Sequence, residues 1–447
     1  MKLSLRNPIR RGWIRLRRTV VWLTPGLGVK RWVLVLLAGI TLLGVGLALL
    51  ILNIYREAPE TWWLPYVSTL SLRFLERPLR IMIFGGLGLA LLVVGIWGLN
   101  RALVKPFLRP GYDFLSAVTT YRRRERGPRI VVIGGGTGQS TLLRGIKHHT
   151  HNLTAIVTVA DDGGSSGELR RTMGILPPGD IRNCLAALSN DEAMMTQLFQ
   201  YRFAAGAGLN GHSLGNLFIT ALTELTGSFE RAVAESGRVL AVQGRVVPST
   251  LHNVCLVADV ELKDSAKEIK ITGESLITKA AGRIRRIWME PNNPPAFPPA
   301  VQAILAADLV VVGPGSLYTS ILPNLLVPDL ADALRVSRAM KFYVCNVTTQ
   351  PGETTGYTAG DHVRAIEKYL GERFFDVVIT NSQHKGPLPE GIGWVTAEPG
   401  LDNDYAVYSS NLVDAETPSH HDSDKLAQSI LDLYFDRTGP LVNENRT

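Results

Sequence analysis

Apolar and polar positions along the chain fall into two regimes. Near the N-terminus the apolar runs are long and unbroken. From Trp32 to Leu52 the sequence reads WVLVLLAGITLLGVGLALLIL, 21 uncharged residues that as a helix span about 31 Å, enough to cross a bilayer. Ile81–Leu99 repeats the pattern. The pattern predicts two transmembrane helices, at about 32–54 and 81–99, within a hairpin over 32–99, rather than a pair of buried core helices. Beyond Arg129 the apolar runs shorten, end in glycine and alternate with helical spacing. Arg129–Ile133 predicts a strand, Ser140–His149 a helix carrying Leu142, Leu143 and Ile146, and Thr154–Val159 the next strand. Strands are also expected at Asp308–Val312, Lys341–Asn346 and Phe375–Thr380. Asn253–Val260 and Glu268–Thr272 suggest an inserted or edge β element, Pro291–Pro299 a connector that is not helical, and Asp424–Phe435 a final helix. This alternation predicts an α/β fold with a mostly parallel sheet covered by helices on both faces, over 129–437, followed by a polar tail at 438–447.

Charge separates the two regimes. The chain of 447 residues carries a formal +8, which by itself invites a nucleic-acid reading. Residues 1–129, however, hold 21 Lys and Arg against 5 Asp and Glu, a net of +16, and the remainder is −8. No nucleic-acid partner is therefore expected. The basic arm 1–31 has nine Lys and Arg and no acid, and the linker 100–128 carries Arg122, Arg123, Arg124 and Arg126. Positive flanks mark the cytoplasmic side, so both termini and the large domain are expected in the cytoplasm, anchored in a bacterial inner membrane. Trp62, Trp63 and Tyr66 would lie at the opposite interface. Trp13, Ile14, Leu16, Val20, Val21 and Leu23 interleave with Arg15, Arg17 and Arg18, a pattern suited to anionic lipid. Cys184, Cys255 and Cys345 are far apart and suggest neither a zinc site nor a disulfide framework, consistent with a reducing compartment.

Glycine-rich loops carry the candidate chemistry. Gly134-Gly135-Gly136-Thr137-Gly138 lies between a predicted strand and helix, where free N–H groups at a helix start can cradle phosphate. It is not a Walker A loop, and Gln139 breaks the dinucleotide pattern G-x-G-x-x-G. A tight turn that needs no ligand is the alternative. Asp161-Asp162-Gly163-Gly164-Ser165-Ser166 follows the second strand. Its two carboxylates could meet a ribose hydroxyl or hold Mg2+ against phosphates, or form a solvated Asx turn. In Pro178-Gly179-Asp180, Asp180 can cap the helix that carries Arg182 and Asn183. Gly211-His212-Ser213-Leu214-Gly215 satisfies the hydrolase elbow G-x-S-x-G. It lacks a strand in front, so His212, Ser213 and Asn216 are assigned to the polar start of a helix. Gly313-Pro314-Gly315-Ser316 offers a further anion site.

The strings GGGTGQSTLLRG, TVADDGGSSGELR, GILPPGDIRN, GHSLGNL, GPGSLYTSILPNLL and NVTTQPGETTGYTAGDHV occur in that order. Together they resemble the gluconeogenesis factor family, related to the 2-phospho-L-lactate transferases of deazaflavin coenzyme synthesis. The resemblance spans about 129–437 and does not include the hairpin. It implies a Rossmann-like domain that binds a nucleotide sugar such as UDP-N-acetylglucosamine, with a role in growth on non-glycolytic carbon and in cell shape. By the same resemblance, Gly135, Gly136 and Thr137 would cradle phosphate, Asp161 and Asp162 would face ribose or metal, and Asn183, His212, Asn216 and Ser316 would complete the pocket.

Two readings follow. One is a membrane-tethered regulator that binds a UDP-sugar, with envelope-synthesis proteins and a second copy of the chain as partners. The other is a Mg2+-dependent transferase of the 2-phospho-L-lactate type, with Asp161 or Asp162 as the catalytic carboxylate and Arg170, Arg171 or Arg182 neutralising charge. A dehydrogenase ranks third.

Overall fold

The computed structural model describes residues 124–439 apart from 191, 207, 263–267 and 281, with scattered positions between 40 and 86. The arm 1–31, nearly all of the expected hairpin, most of the linker 100–128 and the tail from 440 lie outside the described residues. Among the described residues no helix is long and apolar enough to cross a membrane. The chain divides into two compact units, Met1–Pro110 and Gly111–Thr447, and the glycine-rich loops lie in the second.

Its strands are β1 (Ile130–Gly134), β2 (Leu153–Val157), β3 (Arg245–Pro248), β4 (Cys255–Leu262), β5 (Glu268–Thr272), β6 (Gly282–Glu290), β7 (Leu309–Val312), β8 (Met340–Val344), β9 (Val377–Asn381) and β10 (Ala406–Ser410). Its helices are α1 (Gly136–Ile146), α2 (Gly164–Met173), α3 (Gly179–Leu188), α4 (Glu192–Gln200), α5 (Leu214–Thr226), α6 (Phe229–Val239), α7 (Pro298–Ala306), α8 (Pro328–Val336), α9 (Ala359–Leu370) and α10 (Ser423–Thr438). Single helical turns occur at Glu274–Ile277, Leu322–Leu325 and Leu401–Asp404.

Seven strands form one sheet in the order β10-β9-β8-β7-β1-β2-β3, every neighbouring pair parallel. Such a sheet is covered on both faces, which is why β1, β7 and β9 are buried at every position. Helix α1 buries Leu142, Leu143 and Ile146 and packs against α3 and α10. Strands β4, β5 and β6 form a separate antiparallel sheet in the order β5-β4-β6. Cys184 and Cys345 are buried free thiols.

The expected strands lie within a residue or two of the observed ones. β3, β6 and β10 carry weaker patterns. β6 has a register shift opposite Asp259/Val260, so Arg285 and Arg286 are both exposed and strict alternation is lost. The connector expected to be non-helical through Pro299 ends two residues earlier, at Phe297: Pro298 and Pro299 open α7. Proline has no N–H to lose there and its fixed φ suits a first turn.

Candidate functional site

The chain order of the large sheet reverses between β1 and β7, and open α/β sheets bind ligands outside the carboxyl ends of strands at such a point. β1 runs into Gly135, then Gly136 at φ 66° begins α1. β7 runs into Gly313-Pro314-Gly315-Ser316 and a π-helical turn, Leu317–Ile321. The two loops touch. A Cβ at Gly138 would stand 2.7 Å from Pro314 O, and one at Gly135 would stand 2.6 Å from Asp180 Oδ2 and 2.9 Å from Thr158 Cγ2. Only glycine fits at either position. Gln139, which breaks the dinucleotide pattern, is a buried brace: its Nε2 donates to Val132 O (2.9 Å) and Ile156 O (3.0 Å). Buried Asn324 donates to Gly134 O (2.9 Å) and Ser320 O (2.8 Å), fixing the end of β1.

Beyond β8 two amides shape the other wall. Asn346 Oδ1 accepts from Gly315 N–H (3.1 Å) while its Nδ2 donates to Gly315 O (2.8 Å). Gln350 Nε2 donates to Ser316 Oγ (2.7 Å).

The paired aspartates part company. Asp161 Oδ1 accepts from Gly163 N–H at 2.9 Å, and Ser166 donates a side-chain hydrogen bond to it. Asp162 turns instead to the antiparallel sheet, its Oδ1 accepting from Ser275 N–H at 2.8 Å. Asp161 faces Asp180 across Gly179, where an added Cβ would stand 3.1 Å from Asp161 Oδ2. The expected cap at Asp180 is not formed. Pro178 is the N-cap of α3 and gives no side-chain cap. Asp180, one residue inside the helix, accepts a hydrogen bond from Gly136 N–H at the start of α1.

Negative charge concentrates here. Burial and the charge of Asp161 push the Asp180 carboxyl up to about 7. Burial, then Asp161, Asp180 and Glu353, push Glu274 up to about 8. Burial also raises Asp161 and Glu353, although Glu353 is held by Tyr318 N–H (3.0 Å) and the Thr319 hydroxyl (2.8 Å). Arg182 is buried, and burial lowers its affinity for its own proton. Among the described residues no group of three or more His, Cys, Asp or Glu is disposed to hold a metal alone. Mg2+ normally keeps waters and takes one or two carboxylates plus substrate phosphates. Crowded carboxylates with raised proton affinity suit that mode, and Asp161, which feels the charge of Asp162 and whose own charge acts on Asp180, is common to both carboxylate neighbourhoods.

A buried polar network lies beside these carboxylates. Ser213 caps α5 by accepting from Asn216 N–H (3.3 Å) and also accepts from Arg182 Nη1 (2.6 Å). Arg182 Nη2 donates to Asn183 Oδ1 (2.9 Å), so Asn183 is engaged by its neighbour. Asn216 Nδ2 donates to Ser165 Oγ (3.1 Å) and Ser166 Oγ (3.3 Å). His212 Nδ1 is 3.0 Å from Ser165 Oγ, and its Nε2 is 3.4 Å from Glu168 Oε2. Of the candidate residues, Thr137 and Gly164 are exposed, while Ser165, Ser166, Pro178 and Gly179 are buried.

Sequence reasoning did not single out Glu274, Ser320, Asn324, Asn346, Gln350 or Glu353. Asn346 and Gln350 follow a strand that was expected, so its carboxyl end was the available signal. Glu274 reaches the site from the antiparallel sheet and had none.

A doubly wound parallel sheet with glycine loops at its switch point defines a Rossmann-like α/β protein. The profile of the family described as 2-phospho-L-lactate transferase CofD matches residues 130–390, and the chain belongs to that family. A gluconeogenesis factor of Bacillus subtilis is 50% identical over 256 residues, covering 57% of this chain and 79% of its own. A gluconeogenesis factor of Listeria monocytogenes is 42% identical over 325 residues, covering 71% and 98%. A relative from Nostoc sp. is 51% identical over 381 residues, covering 83% and 80%. A crystal structure of a UPF0052 family member from Bacillus halodurans superposes with a TM-score of 0.63 at 42% identity, covering 68% of this chain and 99% of that one.

Proposed function

We propose that the chain is a gluconeogenesis factor that binds a nucleotide sugar of the UDP-N-acetylglucosamine type at the β1/β7 switch point and acts from the membrane on cell shape during growth on non-glycolytic carbon. The observation that carries this reading is the convergence of Gly134–Gly138, Asp161–Ser166, Pro178–Asp180 and Gly313–Ser316 on one point of the sheet. The N–H groups at the start of α1 supply phosphate donors, Ser316 and the amides beyond β8 supply polar partners, and Asp161 with Asp180 would hold Mg2+. When bound, the ion would neutralise the diphosphate against these acids.

The two apolar runs at 32–54 and 81–99 supply the tether. The similarity to the Nostoc relative covers more residues than lie between Arg129 and the C-terminus, so it includes part of that segment. Envelope-synthesis proteins and a second copy of the chain are the partners to seek. Titration calorimetry of the full chain with UDP-N-acetylglucosamine and Mg2+ should give saturable heat, and silence with every uridine nucleotide would overturn the reading.

The pairing of Asp161 with Asp180 favours a second reading, a metal-dependent transferase of the family's named type. Incubation with phospho-donors and alcohol acceptors, followed by mass spectrometry, separates the two: turnover abolished by Asp161→Asn with nucleotide binding retained would establish the transferase.

A further inference from the structure

Ser165 hydrogen-bonds His212, whose other ring nitrogen lies 3.4 Å from a carboxylate oxygen of Glu168, a series that a binding site does not require. Glu168 is an exposed carboxylate, which accepts and does not donate, so it favours the His212 proton on Nε2. Nδ1 is then an acceptor facing Ser165 Oγ at 3.0 Å. Ser165 Oγ already receives Asn216 Nδ2 at 3.1 Å, so its own hydrogen is directed to the imidazole. A hydroxyl beside a base that a third group orients is the arrangement of an activated nucleophile. Both Ser165 and His212 are about 5% exposed, shielded from bulk water. Gly164, next in the chain, is exposed and a Cβ there would meet nothing within 4 Å.

The surroundings suit phosphorus as the electrophile. Ser165 is the second residue of α2, whose N-cap Gly163 contributes no side-chain cap, so the leading N–H groups remain for an anion. Arg182 Nε is buried without a hydrogen-bond partner, in a side chain joined to this network through Ser213. Ser213, the serine of the elbow-like motif, is committed to helix capping and to Arg182. The motif contributes its histidine, and the hydroxyl comes from the aspartate loop.

We propose that Ser165 is a nucleophile that accepts a phosphoryl group from a phosphate ester bound at this site, with His212 as general base and Glu168 as the positioning residue for the ring. Ser165 Oγ bonds to phosphorus, the P–O bond to the leaving group breaks, and the hydroxyl proton passes to His212 Nδ1 and on to the departing oxygen. Water or an acceptor hydroxyl then attacks phosphorus, the Ser165 Oγ–P bond breaks, and the proton that His212 removes from the attacking hydroxyl passes to Ser165 Oγ, restoring both residues. This step goes beyond the binding reading and does not depend on which nucleotide binds.

The full chain in detergent, treated with a fluorophosphonate probe and digested for mass spectrometry, should carry its adduct on Ser165. Labelling should slow at least about tenfold in His212→Ala, regain a measurable part of the rate with added imidazole, and slow several-fold in Glu168→Gln. Rescue by imidazole separates a base from a merely structural histidine. No adduct, an adduct on Ser166 or Ser213 instead, or wild-type labelling in folded His212→Ala overturns the proposal. Because His212 is buried, the exposed Glu168→Gln variant is the safer one to fold, and an unchanged rate in it also overturns the assignment.

Discussion

The carboxylate of Asp180 accepts a hydrogen bond from the backbone N–H of Gly136. The two residues belong to different helices, and the bond places an internal anion where the start of α1 would otherwise meet a phosphate. A phosphate that arrives alone competes with Asp180 for this donor and meets the charge of Asp161, while Glu274, raised to about 8, keeps its proton at neutral pH. A phosphate that arrives with a divalent cation turns the same carboxylates into partners. Under the proposed function the site would therefore favour a metal-complexed anion over a bare one.

Charge at Asp180 works against folding. Its folded proton affinity is raised to about 7 from an ordinary 3.8, so the stability contributed by the protonated form is fully present below about pH 4 and is lost as pH rises through about 7. Asp180→Asn keeps an acceptor for Gly136 N–H and removes that charge. In EDTA, the variant should gain roughly 1–2 kcal/mol over wild type at pH 8 and little at pH 5. Denaturant titrations at the two pH values measure this, and an equal effect at both would show that the charge is not the cause. Mg2+-dependent nucleotide binding should weaken in the same variant.

His421 governs the acid side. It is 8% exposed, and burial drives its imidazole down to about 4 from 6.5. The unfolded chain takes up the proton first, so stability present above about pH 6.5 is lost as pH falls toward 4, by up to about 3 kcal/mol. His421→Gln should flatten the fall in stability between pH 6.5 and 4, whatever it costs at neutral pH. The slope of unfolding free energy against pH is the quantity to compare.

The sheet was legible because a strand buried on both faces must be continuously apolar, as in β1 and β7, and because glycine at the strand ends marks tight loops. The loops of the site were legible for the same reason. Their detailed roles were not. Asp161 and Asp162 are adjacent in sequence, yet one faces Asp180 and the other binds Ser275 N–H. That division depends on where the antiparallel sheet lands, a long-range placement without local signal. Glu274 and the Ser165–His212 contact join segments dozens of residues apart. The cap expected at Asp180 failed similarly, since Gly136 of another helix supplied the donor.

Two glycines in helices should respond oppositely to alanine. At Gly138 the new methyl would stand 2.7 Å from the backbone oxygen of Pro314, and neither loop can yield without moving the other. Gly138→Ala should cost about 1–3 kcal/mol and abolish nucleotide binding. At Gly237, in α6, the nearest atoms to an added Cβ are 3.8 Å away, ordinary contact. Gly237→Ala should stabilise the chain by about 0.5–1 kcal/mol through the lower backbone entropy of its unfolded state, with binding unchanged. Thermal unfolding and calorimetry on the pair test whether the Gly138–Pro314 approach is required for the site.

Residues from Gly111 onward form a compact unit, and the solved Bacillus halodurans relative is covered over 99% of its length by 68% of this chain. A fold of that extent already stands alone in the relative. The fragment 111–447 should therefore remain soluble, unfold cooperatively and bind nucleotide within about twofold of the full chain. It keeps the net negative charge of the C-terminal part, which anionic lipid repels. Vesicle flotation should then divide the two forms: the full chain floats with the lipid and the fragment stays at the bottom of the gradient. A fragment that floats would move the membrane contact into the α/β domain, and a full chain that sinks would remove the proposed hairpin.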